Sequence, residues 1–123
     1  MDCPFCKPDP SREPIASSAL AYAIFDKYPV SEGHALIIPK IHEPAYFQLP
    51  VNYQQACWQL LNEVQTIIRH QYQPDGFNVG ININAAAGQT VPHVHIHLIP
   101  RYIGDVEDAV GGVRGVIPAR RRY

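Results

Sequence analysis

The sequence predicts a single α+β domain in which one long helix packs on an antiparallel sheet. Three observations predict it. Apolar residues recur at spacings of three and four over residues 51–72, and short apolar runs bounded by turn residues flank that segment on both sides. A chain of 123 residues also suffices for one hydrophobic core and not for two.

The elements follow in order. Residues 1–18 are rich in Pro, Ser and charge and read as an irregular lead-in, after which residues 20–25, apolar and aromatic, read as a strand. Pro29, Ser31 and Gly33 mark a turn, and residues 34–39 make a second strand that Pro39 closes. His42 then falls on a loop before Pro44 and the Tyr46-Phe47 segment. In residues 51–72, Ala56, Leu60, Leu61, Val64, Ile67 and Ile68 share one face of a helix that Pro74, Asp75 and Gly76 end. Residues 77–82 alternate Phe77, Val79 and Ile81 against Asn78, Gly80 and Asn82, as a strand does. A small-residue loop follows, then a strand over residues 93–99 between Pro92 and Pro100, and a Gly-rich irregular tail from 104 to 123. Cys57 sits within the helical pattern as a core residue, and His70, on its polar end, as a surface one.

The balance of 10 basic and 11 acidic residues gives a net charge of −1, with basic residues scattered except for Arg120, Arg121 and Arg122. An extended nucleic-acid surface is not expected from that distribution. Apolar runs fall far below the roughly 18 residues of a membrane span, and Asp2, Cys3 and Pro4 do not read as a signal peptide. The expectation is a soluble, cytoplasmic protein without nucleic-acid or membrane partners.

Two motifs carry chemistry. Cys3-Pro4-Phe5-Cys6 is a tight thiol pair that, in a reducing compartment, suggests metal or redox chemistry. A redox pair belongs at the start of a helix that follows a strand, whereas this one precedes all predicted structure, so metal binding is favoured over redox chemistry or two free thiols on a frayed terminus. The second motif is His93-Val94-His95-Ile96-His97. On a strand all three rings project from one face, about 6.5 Å apart along the chain. A lone histidine is commonly a satisfied core group, but stacking three titratable rings in a core costs desolvation unless they serve a function. Two readings compete: a zinc held by the three rings that activates water, or one imidazole acting as a nucleophile toward phosphorus beside the Gly88-Gln89-Thr90 loop.

The run from Gly88 to Arg101, with its alternating histidines, resembles the signature of the histidine triad (HIT) family, His-φ-His-φ-His-φ-φ with φ apolar. Asp26, Pro29 to His34, Ala35 to His42 and Gly76 to Asn82 resemble the family's preceding strand regions, so that the likeness covers about residues 1–103. The resemblance implies a HIT-like fold with a five-stranded antiparallel sheet and one long helix, its sheets joined in a homodimer. It implies a nucleotide hydrolase or transferase that cleaves at the α-phosphate of a purine nucleoside phosphoramidate or dinucleoside polyphosphate through a nucleotidyl-histidine. His95 would be the nucleophile, with His97 facing the phosphate and leaving group and His34 supporting the triad from the neighbouring strand. Asp26 would take the ribose hydroxyls, Ile24 would line the base pocket, and Asn82, Gln89 and Thr90 would lie near the phosphate. Some members, and the related galactose-1-phosphate uridylyltransferases, hold a structural zinc through two N-terminal cysteines, a loop histidine and the first triad histidine; here these are Cys3, Cys6, His42 and His93. Each assignment has a plainer counterpart: Asp26 as a turn residue, Gln89 and Thr90 as a strand-entry loop, Asn82 or its neighbour Asn84 as solvated polar groups. The alternatives in function are a nucleotide-binding sensor without turnover and a zinc-dependent hydrolase with the metal on the triad.

Overall fold

The computed structural model describes residues 3–123. Five strands, β1 (Ala16–Ser17), β2 (Ala21–Phe25), β3 (Ala35–Pro39), β4 (Gly76–Gly80) and β5 (Ile96–Arg101), form one antiparallel sheet in the order β1-β2-β3-β5-β4, and a single helix, α1 (Val51–Tyr72), covers one face. The predicted α+β class and the predicted helix are therefore present as expected.

Strand alternation divides the sheet into two chemically different faces. Ala21, Ala23, Ala35, Ile37, Ile96 and Leu98 point toward α1 and meet Cys57, Leu60, Leu61, Val64 and Ile68. Burying each such large side chain contributes about 1.5–3 kcal/mol, and the three alanines, all fully buried, let the helix lie close over β2 and β3. On the opposite face, Tyr22, Leu36 and Ile38 form a smaller cluster with Phe5 and Ile24. The register aligns Ile24 with Leu36, Leu36 with His97, and His97 with Gly80, so one row of that second face runs from apolar side chains to an imidazole to a bare glycine. That row is the floor of the site.

Three local outcomes differ from the expectations. Residues 16 and 17, assigned to the irregular lead-in, pair with β2 as the fifth strand. β4 ends at Gly80, which leaves Asn82 on an exposed loop. β5 begins at Ile96, so that His93 and His95 precede the strand instead of lying on it. The cause is Pro39, the β3 residue facing this stretch: it has no N–H for the ladder, its carbonyl accepts from Nε2 of His93 at 2.9 Å, and the Val94 amide turns to Glu43 O at 2.8 Å. The tail contains only two short 3₁₀ turns, Gly112–Val116 and Pro118–Arg120, held where Asp108 accepts from Arg121 and Arg122. Among the described residues no helix is long and apolar enough to cross a membrane.

The β2–β3 connection places Asp26, Val30 and His34, and Gly33 makes its turn possible. At φ +86° a side chain would be strained, and a Cβ there would lie 2.9 Å from Cδ2 of Tyr72. Tyr72 in turn packs edge-on against Phe25, fixing the end of β2 against the helix.

Candidate active site

Breaking the strand at Ile96 lets His93 turn away from its two companions. Its Nδ1 lies 3.4 Å from Sγ of Cys3, 3.5 Å from Sγ of Cys6 and 3.2 Å from Nδ1 of His42, while Cys6 Sγ lies 3.2 Å from His42 Nδ1. A tetrahedral metal with bonds of about 2.0–2.3 Å separates its ligand atoms by about 3.3–3.8 Å, so the four donors stand close to where such an ion needs them. The second nitrogen of His93 donates to Pro39 O, which leaves Nδ1 as the bare ligating atom. The predicted four-residue set is thus brought together, and it could hold a metal ion. His93 is grouped with the cysteines and His97 with His34 and Asp26, so among the described residues the three triad rings do not offer their donor atoms to one common point.

His95 and His97 face a different space. Nδ1–H of His95 donates to the His93 carbonyl at 2.8 Å, so that in the neutral ring Nε2 is the bare nitrogen, and the residue is 9% exposed. His34 is oriented in the opposite sense. The Val30 amide donates to its Nδ1 at 3.1 Å, so its proton sits on Nε2, 3.0 Å from Nδ1 of His97 and 3.4 Å from Oδ2 of Asp26. His97 therefore accepts at Nδ1 and carries its proton on Nε2. Burial, reinforced by the neighbouring His95 and His34 and opposed by Asp26, pulls the His97 pKa down to about 4. The same desolvation lowers His34 and His93. The cleft therefore presents one bare nitrogen and one N–H donor on rings 5.1 Å apart.

These rings open into a cleft of about 650 Å³, large enough for a mononucleotide, whose lining includes Ile24, Asp26, His34, Asn82, Thr90, His95 and His97. Gln89 is not in that wall. Its Oε1 accepts from the Asn84 amide at 2.8 Å and its Nε2 donates to Pro44 O at 2.7 Å and Val91 O at 3.0 Å, so its amide is consumed in shaping the loop. Asn84, at φ 72°, makes the loop's turn and is likewise outside the cleft, which singles out Asn82 as the lining asparagine. Missed in the sequence were Phe5, Lys7, Arg12, Lys27 and Val30, all of which line the cleft. Phe5 had a signal, since it lies inside the Cys-x-x-Cys loop; Val30 had none, because it acts through its backbone.

Residues 11–104 match the HIT domain. The chain belongs to the HIT family. It is 37% identical over 103 residues to the adenylylsulfatase HINT3 of Arabidopsis thaliana, covering 81% of this chain and 52% of that protein. It is 36% identical over 104 residues to the adenosine 5'-monophosphoramidase hnt1 of Schizosaccharomyces pombe, covering 82% and 75%. It is also 36% identical over 95 residues to a bis(5'-adenosyl)-triphosphatase of Saccharomyces cerevisiae, covering 76% and 46%. This HIT chain thus spans about half the length of the plant and budding-yeast relatives. Among solved structures, a HIT family protein from Bacillus anthracis superposes with a TM-score of 0.79 at 33% identity, covering 85% of this chain and 76% of that one. A Zn-bound histidine triad protein from Mycobacterium smegmatis superposes at 0.77 and 31%, covering 86% and 79%.

Proposed function

We propose that this HIT protein is a nucleotide hydrolase or nucleotidyl transferase that attacks the α-phosphate of a purine nucleoside phosphoramidate or dinucleoside polyphosphate with His95. The observation that carries the reading is the 2.8 Å bond from Nδ1–H of His95 to the His93 carbonyl, which selects the tautomer whose bare nitrogen is Nε2, on a ring that lines a nucleotide-sized cleft. The lone pair on Nε2 forms the bond to phosphorus, the bond from phosphorus to the leaving atom breaks with its electrons going to that atom, and water then displaces the imidazole to release the nucleotide. Nε2–H of His97 stands beside the reacting phosphate as a donor for the charge that develops there. Asp26 takes the ribose hydroxyls, Ile24 packs on the base, and Asn82 and Thr90 flank the phosphate. The names of three relatives, an adenylylsulfatase, an adenosine 5'-monophosphoramidase and a bis(5'-adenosyl)-triphosphatase, each carry an adenylyl or adenosyl group and support this class.

In this reading the metal at Cys3, Cys6, His42 and His93 is zinc, whose preference for thiolate and imidazole the donor set matches. With four protein ligands it has no position for water and serves to tie residues 3–6 to the loops that carry His42 and His93. The protein is cytoplasmic and acts as a homodimer, for which β4, at the free edge of the sheet, offers the pairing edge.

The test is hydrolysis of adenosine phosphoramidate and of a dinucleoside polyphosphate by wild type and His95→Ala, with metal content measured on the same samples. Release of AMP by the wild type, and none by a variant that keeps its metal, is the expected result. Equal inertness of both proteins would support a nucleotide sensor instead.

A further inference from the structure

We propose that Asp26, acting through His34, is a positioning residue for His97, so that a bound ribose strengthens the hydrogen-bond donor at the reacting phosphate. The inference rests on the nucleotide reading above and adds a coupling within the site.

Three contacts make a directed chain. The Val30 amide donates to Nδ1 of His34, which commits the His34 proton to Nε2. That single N–H donates to Nδ1 of His97 at 3.0 Å, while the carboxylate oxygen Oδ2 of Asp26 stands 3.4 Å from the same nitrogen and draws on its hydrogen electrostatically. Asp26 is not spent elsewhere on this side: its Oδ1 accepts from the Tyr28 amide at 2.8 Å, while the side chain stays 16% exposed in the cleft wall. A ligand hydroxyl that donates to Oδ2 satisfies the carboxylate and weakens its pull on the His34 hydrogen. That hydrogen then goes fully to His97. An imidazole that accepts a stronger bond at Nδ1 is polarised toward donation from Nε2, the cooperative effect expected of a hydrogen-bond chain in a desolvated site. Ribose occupancy at one end of the cleft is thereby read at the phosphate, with no movement of the backbone. No proton needs to pass along the chain, since each ring keeps its own.

The experiment compares AMP with 2',3'-dideoxy-AMP by ¹⁵N NMR of histidine-labelled full-length protein, and the corresponding phosphoramidates by steady-state kinetics. For the wild type, AMP shifts the His97 Nδ1 resonance in the direction of stronger hydrogen bonding and dideoxy-AMP does not, while the dideoxy substrate loses about tenfold in kcat beyond its loss in KM, as one good hydrogen bond is worth. In Asp26→Ala both differences vanish, so that the two substrates share one kcat; a merely structural role would lower both together. Asp26→Asn, which keeps the side-chain shape, gives the same comparison if the truncation does not fold. Should both nucleotides bind and move His97 equally, or not at all, the coupling is wrong and the nucleotide reading stands. Should neither bind, the nucleotide reading fails and this proposal with it.

Discussion

The ring of Phe5 lies 5.0 Å from that of His95, centroid to centroid, tilted by 60°, and 5.9 Å from His93 in an edge-on contact. Phe5 belongs to the loop between the two cysteines, and its carbonyl is anchored by the Tyr22 hydroxyl at 2.6 Å. The loop that carries Cys3 and Cys6 of the candidate metal site is therefore also a wall of the cleft.

Stripping an ion held at Cys3, Cys6, His42 and His93 should act on KM and leave the proposed chemistry at His95 in place. Phe5→Ala deletes part of the cleft wall, and losing roughly 1.5 kcal/mol of aromatic burial against the nucleotide corresponds to about a tenfold rise in KM. Chelation, or Cys6→Ala, is expected to reproduce that rise with a smaller change in kcat. A collapse of kcat at unchanged KM under chelation, with the fold intact by circular dichroism, would place the metal in the reaction instead.

Stability should fall on acidification from about pH 6.5 toward pH 4. The His97 pKa is held down to about 4 by burial, and His34 and His93 are lowered in the same sense, so over that window the unfolded chain binds more protons than the folded one. Thermal midpoints measured at pH 7, 6, 5 and 4.5 should decline progressively, and the decline should be shallower in His97→Gln. A flat profile would contradict the burial of these rings.

Gly33→Ala is expected to destabilise the domain by about 1–3 kcal/mol, because it places a Cβ at φ +86° and 2.9 Å from Tyr72. Urea denaturation of Gly33→Ala, Tyr72→Leu and the double variant separates the two causes. The double variant should recover the steric part and keep the cost of the left-handed backbone.

Asp108→Ala should loosen the tail without unfolding the domain. Asp108 accepts from Arg122, and from Arg121 at 3.3 Å, and its carboxyl is held below the usual range first by the Val110 amide and then by Arg122. The carboxylate is only half-buried and its ion pairs are screened by solvent, so the melting midpoint should stay where it is. Limited trypsin digestion should cut after Arg114, Arg120, Arg121 or Arg122 faster than in the wild type, and unchanged cleavage would mean that the clamp does not hold the tail.

Periodicity made α1 legible, because Leu60, Leu61, Val64 and Ile68 can be buried together only on a helix. It did less well at β5, where alternation continues through His93 but pairing stops at Ile96. The interruption lies in Pro39, a residue more than fifty positions earlier that cannot supply the ladder's N–H, so nothing in the local pattern of the histidine run reveals it. Gln89 shows a related limit: its residue type suits a phosphate loop equally well whether its amide faces a ligand or, as here, the loop's own carbonyls.

Residue types and their spacing were enough to establish the α+β class, the long helix, the thiol pair and the row of imidazoles, since these depend on side-chain chemistry repeated at short range. Three features arose only in the folded chain: His93 turned toward the cysteines, Phe5 over His95, and the Val30 amide on His34. The first two join segments nearly the whole chain apart through the strand order β1-β2-β3-β5-β4 and the loops it brings together, and the third is a backbone donor that every residue but proline possesses. Long-range juxtaposition and main-chain hydrogen bonding leave no mark on local sequence, and in this protein they decide which nitrogen of each histidine is free to act.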